Sequence, residues 1–158
     1  MGNVRFISDL HLGHENMAKK RGFSSADEMN EHIIKMWNKV VNKKDVTYIL
    51  GDVTLESKKY YHLLNRLNGI KNVVLGNHDV RQDVPYLLQY VNSVAGMIKY
   101  KNKYILTHCP IHPSQLESRF DKNIHGHVHE NSLEDDRYIN VSCEVVEYTP
   151  KLLTELIK

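Results

Sequence analysis

Several things are scarce in this chain of 158 residues. There are only two cysteines, Cys109 and Cys143, too far apart for a Cys-x-x-Cys pair, so a disulfide scaffold is excluded and free thiols in a reducing cytoplasm are the expectation. No apolar run approaches a membrane span. The opening MGNVRFISDLH enters a strand-like stretch at once, so no secretory signal is expected. Net charge is only +2, and the basic clusters Lys19-Lys20-Arg21, Lys43-Lys44 and Lys58-Lys59 are short, so no strong polyanion bias exists. Proline and glycine form no linker, and neither repeat nor low-complexity tract is present. One domain spanning residues 1–158 is expected.

Histidine, by contrast, is plentiful. There are ten, and five fall between residues 108 and 129. Three of those alternate in the stretch His125-Gly-His127-Val-His129-Glu130. Histidine clustering of this kind raises the question of metal, although any one of these residues could be a turn or capping side chain.

The periodicity predicts a strand at Val4–Ser8. A helix over about Ala26–Val41 follows, opened by the capping-box spacing Ser25-Ala-Asp-Glu28. Trp37 sits in its apolar stripe and reads as core. Val46–Leu50 and Lys71–Leu75 read as buried strands. Lys58–Leu67 reads as a helix stopped by Gly69, and Val84–Val91 as a short helix. Val94–Tyr100 and Lys103–Thr107 are the arms of an expected hairpin turning at Lys101-Asn102. A strand-like stretch recurs at Tyr138–Val145. A last helix should start at Thr149-Pro150, with Leu152, Leu153, Leu156 and Ile157 buried.

One pattern recurs along this map. Apolar strands run into polar clusters: Asp9-Leu-His11, Gly51-Asp52, Gly76-Asn77-His78-Asp79, Thr107-His108 and Gly126-His127. Sites in α/β folds gather outside the carboxyl ends of strands, so these clusters are candidates for one shared metal site. Asp, Asn and His supply oxygen and imidazole ligands, which suit Mn, Fe, Zn, Ni or Co better than a thiolate metal. A two-residue step in a strand covers about 6.6 Å, and ions of two-metal sites lie roughly 3.5–4 Å apart. His127 and His129 can therefore serve neighbouring ions as readily as one.

These five clusters, in this order, resemble the motif set of the calcineurin-like metallophosphoesterases: Asp-x-His, Gly-Asp, Gly-Asn-His-Asp/Glu, a lone His and Gly-His-x-His. They run from residue 9 to residue 129, most of the chain. The resemblance implies an α/β four-layer sandwich of two packed mixed β-sheets flanked by helices, with a dinuclear metal site at the strand ends. It implies that Asp9, His11 and His129 hold one divalent ion, that Asn77, His108 and His127 hold the other, and that Asp52 bridges both. It implies hydrolysis of phosphate esters, with a hydroxide between the ions as attacking group. His78 would be the general acid or a phosphate contact, its ring held by Asp79. Asn77 and His14 would meet the substrate phosphate. Manganese is the expected metal.

The pattern departs from the family in one place: Leu55 stands where many members carry a second Asp. The chain leaves little for a cap domain, so an open site fits a phosphodiester or a small phosphorylated substrate, nucleotides or nucleic acid included. A phosphomonoesterase or protein phosphatase, a nuclease, a cyclic-nucleotide phosphodiesterase and a non-catalytic metal-binding interaction module stay open as alternatives. Arg81 and His112 read as solvated loop residues. Strand alternation turns Cys109 away from the side of His108 and into packing. His32, His62 and His125 take no assigned role.

Overall fold

The computed structural model describes residues 2–157. Strand β1 (Val4–Ile7) lies inside a five-stranded sheet. Its parallel neighbours β2 (Val46–Ile49), β3 (Ile70–Val74) and β4 (Ser93–Ala95) follow in sequence order on one side. On the other side β9 (Lys151–Leu152) pairs antiparallel with Arg5 and Phe6. The second sheet has the order β5 (Ile98–Tyr100), β6 (Tyr104–Leu106), β7 (Lys122–His125), β8 (Tyr138–Asn140). Its β5–β6 pair is antiparallel and the remaining pairs are parallel. Both sheets are thus mixed.

Phe6 joins the sheets. It stacks on Tyr48 of β2 at 5.7 Å and meets the Tyr100 ring of β5 edge-on at 5.4 Å. Both Phe6 and Ile7 are fully buried, so β1 is covered on both faces, as a central parallel strand must be. Outside the first sheet lie α1 (Glu15–Lys20) and α2 (Ala26–Val40), whose apolar stripe buries Met29, Ile33 and Trp37. Trp37 donates its indole N–H to the Asn68 carbonyl at 2.9 Å, so the one polar atom of this core side chain is satisfied. On the second sheet Ile124 joins the central core and Asn123 faces outward. There Asn123 accepts from Ile111 N–H and donates to the Ile105 carbonyl, which fastens the loop and single 3-10 turn Pro113–Leu116 as a thin outer layer.

Several sequence expectations need correcting. The segment Val94–Tyr100 is not one hairpin arm. It breaks at Gly96-Met97, giving β4 to the first sheet and β5 to the second; apolar residues on both sides of the break hide it from a periodicity reading. The turn at Lys101-Asn102 does form, both residues taking positive φ. Lys58–Arg66 is a 3-10 helix, and Val84–Leu87 (α3) is a single turn preceded by a 3-10 turn. The last helix starts at Leu153 (α4, Leu153–Leu156), because Lys151 and Leu152 are spent on pairing with β1. Ser25 caps α2 as expected, but Glu28 returns to Ser24 N–H instead of Ser25.

The stretch Tyr138–Val145 is a strand only to Asn140. Residues beyond it cross between the sheets. Val141 N–H donates to the His125 carbonyl of the second sheet, while Ser8 N–H donates to the Val141 carbonyl and Cys143 N–H to the Ser8 carbonyl at the end of β1. The strand pattern of the sequence is real there, but its hydrogen bonds go to two different sheets.

Phe6→Ala removes the ring between the sheets and should destabilise the fold by about 3–5 kcal/mol in urea unfolding. Met97→Ala, at a side chain 63% exposed, should change stability by no more than about 0.5 kcal/mol.

Candidate metal centre

The polar clusters stand at the carboxyl ends of β1, β2, β3, β6 and β7 and converge. The loop after β1 runs beside the loop after β2: Asp9 N–H donates to the Gly51 carbonyl at 3.0 Å, His11 N–H to Asp52 at 3.0 Å and Leu12 N–H to Val53 at 2.9 Å. Asp9, His11, Asp52, His127 and His129 all have positive φ, from 49° to 71°. A non-glycine residue in this region costs roughly 1–2 kcal/mol. Five such residues gathered at one place mark strain held by the surrounding fold and spent on aiming side chains. This is also how residues two apart face the same centre: the left-handed turn replaces strand alternation. Two glycines permit the approach. A Cβ on Gly51, whose φ is 92°, would run into the His108 ring, and one on Gly126 would occupy the space of Ser8 Oγ and Asp9 Oδ2.

The donors fall into two adjoining sets. Asp9, His11 and His129 bring one ligand atom each to within 4.8 Å of one another. His11 Nε2 lies 3.7 Å from Asp9 Oδ1 and 3.7 Å from Asp52 Oδ2, and His129 Nε2 lies 3.8 Å from Asp9 Oδ1. Asp52 Oδ2 is 3.3 Å from His108 Nε2. Around that nitrogen stand Asn77 Oδ1 at 3.0 Å and His127 Nδ1 at 3.2 Å, themselves 3.0 Å apart. Asp52 therefore lies between the sets. Among the described residues, Asp9 Oδ1 and both ring nitrogens of His11 are buried without a hydrogen-bond partner. A buried carboxylate oxygen facing unpartnered imidazole nitrogens is costly as it stands and is what a divalent cation would satisfy. The donor set fits such ions.

An outer layer fixes these donors. Asp9 Oδ2 accepts from Ser8 Oγ at 2.6 Å, His127 N–H at 2.9 Å and Ser142 Oγ at 3.2 Å. His108 Nδ1 donates to the Leu50 carbonyl at 2.7 Å, which in the neutral ring leaves the Nε2 lone pair pointing inward. His129 Nδ1 donates to Glu144 at 2.9 Å, and buried Arg21 holds the same carboxylate at 2.8 Å while capping the Asp9 carbonyl at 2.7 Å. Glu144, Arg21, Ser8 and Ser142 carried no signal in the sequence. Only the crossing at residues 141–143 brings Ser142 and Glu144 here.

The charges follow from these contacts. Burial alone would raise the Asp9 and Asp52 carboxyls, but the imidazoles of His11 and His108 outweigh it and hold both below the ordinary carboxylate value. Burial opposes charge on His108, yet the Asp52 carboxylate raises its pKa. Burial also works against Glu144, whose partners His129 and Arg21 bring it down to about 2. The centre thus keeps its carboxylates anionic while Arg21 offsets Glu144.

His78 points its ring to the open side of this centre. Its side chain is 36% exposed, and its ring centroid is 5.9 Å from that of His11. Its N–H donates to Asp52 Oδ1 at 3.0 Å. The expectation that Asp79 holds the His78 ring needs correction. The Asp79 carboxylate accepts from the N–H groups of Asp52 at 2.8 Å, Val53 at 3.0 Å and Gly76 at 2.7 Å, clamping the loops after β2 and β3 together. The carboxylate at the His78 ring is that of Glu56, with Oε1 3.4 Å from Nδ1.

His14 caps α1 by accepting from Met17 N–H at 3.4 Å, and its ring lies 5.7 Å from that of His11. His112 caps the turn at Pro113. His125 is fully buried, donates to the Gly126 carbonyl and packs on the Tyr138 ring, a structural part. Cys109 does not turn away: it is exposed, and its sulfur stands within 4.8 Å of ligand nitrogens of His108 and His127. Strand β6 ends at Leu106, so alternation no longer applies there. Partial desolvation of the sulfur and the nearby Asp52 and Asp9 raise its thiol pKa.

Similar proteins exist. A family profile described as calcineurin-like phosphoesterase matches residues 2–147. An uncharacterized protein of Methanocaldococcus jannaschii is 37% identical over an alignment of 171 residues that takes in 100% of this chain and 91% of that protein. The gene 66 protein of Mycobacterium phage D29 is 30% identical, across 91% of this chain and 89% of its own length. Among solved structures, a protein of unknown function from Aquifex aeolicus superposes with a TM-score of 0.76 at 28% identity, covering 98% of this chain and 97% of that one. A structure described as a novel archaeal phosphodiesterase shares the fold, with a TM-score of 0.53 at 20% identity over 89% of this chain and 82% of its own.

Removing Glu144 frees the His129 ring without touching the donors themselves. Glu144→Ala should lower the affinity for Mn²⁺ by about 10–100-fold, measured by isothermal titration.

Proposed function

The chain belongs to the calcineurin-like phosphoesterase family, and from that premise we propose that it is a two-metal phosphoesterase acting first on phosphodiesters. Supporting this most directly is the pair of donor sets meeting at Asp52, with Asp9 Oδ1 and His11 Nε2 buried and unpartnered between them. Asp9, His11 and His129 would hold one divalent ion, Asn77, His108 and His127 the other, and Asp52 would bridge. Nitrogen and oxygen donors suit Mn, Fe, Zn, Ni or Co, and manganese is the ion we propose.

When bound, the two ions supply electrostatic stabilisation of the phosphoryl oxygens and a lowered pKa for the attacking water. The chain's own groups do the rest. Two anionic ligands, Asp9 and Asp52, leave a net positive site that attracts a phosphate ester. Asn77 orients a phosphoryl oxygen from beside His108, and His14 reaches the phosphate from the other side. Water that has lost a proton to solvent attacks phosphorus as hydroxide, the ester P–O bond breaks, and His78 gives a proton to the leaving oxygen. Glu56 orients the His78 ring from its Nδ1 side, and Asp79 positions the loop that carries His78. The exposed faces of His78 and His127 make the site open, which suits a diester entering from solvent over a monoester sealed in a pocket.

Hydrolysis of bis-p-nitrophenyl phosphate should require added Mn²⁺ and stop with chelator; full turnover by metal-stripped protein would refute the reading. Asp52→Asn should abolish turnover and lower bound metal measured by atomic emission. His78→Ala should slow alkyl esters by about 10²–10⁴-fold and nitrophenyl esters much less, because nitrophenolate leaves without a proton. Equal losses on both would assign His78 to phosphate binding.

A further inference from the structure

A cleft of about 290 Å³ opens beside the centre, between Leu12, His14 and Glu15 on one side and Leu55, Ser57 and Tyr60 on the other. Both walls continue directly from catalytic segments. Leu12 follows His11, and the Leu12–Thr54 bridge pairs the two walls. Leu55 precedes Glu56, whose N–H donates to the His78 carbonyl at 3.0 Å and whose side chain meets the His78 ring. The cleft therefore opens where the segments carrying His11 and Asp52 leave the centre.

The cleft is built. Gly13 has a φ of 79° and donates to Asn30, a side chain 3% exposed on α2, at 2.9 Å. A Cβ on Gly13 would collide with the Tyr60 ring, so that ring is seated against the Gly13 backbone and forms a fixed aromatic wall. The floor is apolar: Leu12 is buried, and Leu55 is 36% exposed. Polar atoms near the rim are partly committed, Ser57 Oγ accepting from Lys59 N–H and Glu15 accepting from Ala26 N–H. The Lys59 ammonium stands 5.4 Å over the Tyr60 ring. An apolar floor, an aromatic wall and a volume at the small end of ligand sites suit one flat ring system and offer little to a charged or methyl ester group.

We propose that this cleft receives the ring of an aromatic ester group, a nucleobase in the biological substrate, and so makes nucleotide phosphodiesters the substrate class. The inference rests on the phosphoesterase reading. Tyr60 and Leu55 are the residues that set specificity, and neither touches the donors.

The test is titration of the Mn²⁺-loaded protein with three inert or product-like phosphoryl compounds: methylphosphonate, phenylphosphonate and thymidine 5′-monophosphate. Phenylphosphonate and the nucleotide should both bind roughly 10–100-fold tighter than methylphosphonate, the gain expected of one stacked ring. Tyr60→Ala should close most of that gap and Leu55→Ala part of it, and both should leave the methylphosphonate affinity unchanged, which also reports an intact fold and centre. Equal affinity for all three compounds, or a gap that survives both substitutions, overturns the proposal. So does a gap for phenylphosphonate alone, with the nucleotide binding no better than methylphosphonate. Failure here and failure of the phosphoesterase reading are separable. Metal-dependent hydrolysis without an affinity gap sinks only this inference; a gap without hydrolysis of any ester overturns the phosphoesterase reading and with it the substrate class, leaving the cleft as a ring-binding site alone.

Discussion

The Asp9 carboxylate ties the ends of the two sheets together. Its Oδ2 accepts hydrogen bonds from the end of its own strand at Ser8, from His127 beyond β7 and from Ser142 beyond β8. The first group belongs to one sheet and the other two follow strands of the second. A single carboxylate oxygen therefore pins the ends of both sheets, and the opposite oxygen is free to face His11 and His129. The hydrophobic contact of Phe6 with Tyr100 brings the sheets together, but the Asp9 carboxylate fixes how their ends meet. Because Asp9 stays anionic while buried, its position is costly unless positive charge or hydrogen-bond donors surround it. The donor geometry of the centre is a consequence of meeting that need.

The same logic explains the local backbone. Five left-handed residues and two crowded glycines lie within one small volume. Each is unfavourable alone. They persist because main-chain bonds between the loops after β1 and β2, and the Asp79 carboxylate clamped on three amides, hold the loops independently of any ligand. The site is preorganised by backbone contacts, and its donors need little movement to close on a cation.

Much of this was legible in the amino-acid order. The parallel strands are short apolar runs, and each ends in a polar residue whose type already names its chemistry, so Asp9, His11, Asp52, Asn77, His108, His127 and His129 could be picked out and are indeed brought together. What escaped depends on tertiary routing. Glu144 is one acidic residue among many until the chain crosses between sheets and lays it on His129. Asp79 beside His78 invites pairing by adjacency, but its carboxylate faces three amides of neighbouring loops, and Glu56, distant in sequence, takes the ring. Strand alternation predicts that Cys109 turns away from His108, but that rule ends where the strand does, at Leu106. The Gly96-Met97 break was invisible because both flanks are equally apolar.

The crossing at residues 141–143 also imposes an order in time. All seven donors lie within residues 9–129, yet Ser142, which anchors Asp9, and Glu144, which orients His129, come later in the chain. The contact between Ser8 and Val141 spans most of the sequence, and such distant closures form late. A growing chain would therefore carry all seven candidate donors before Ser142 and Glu144, the residues that aim Asp9 and His129, have been added.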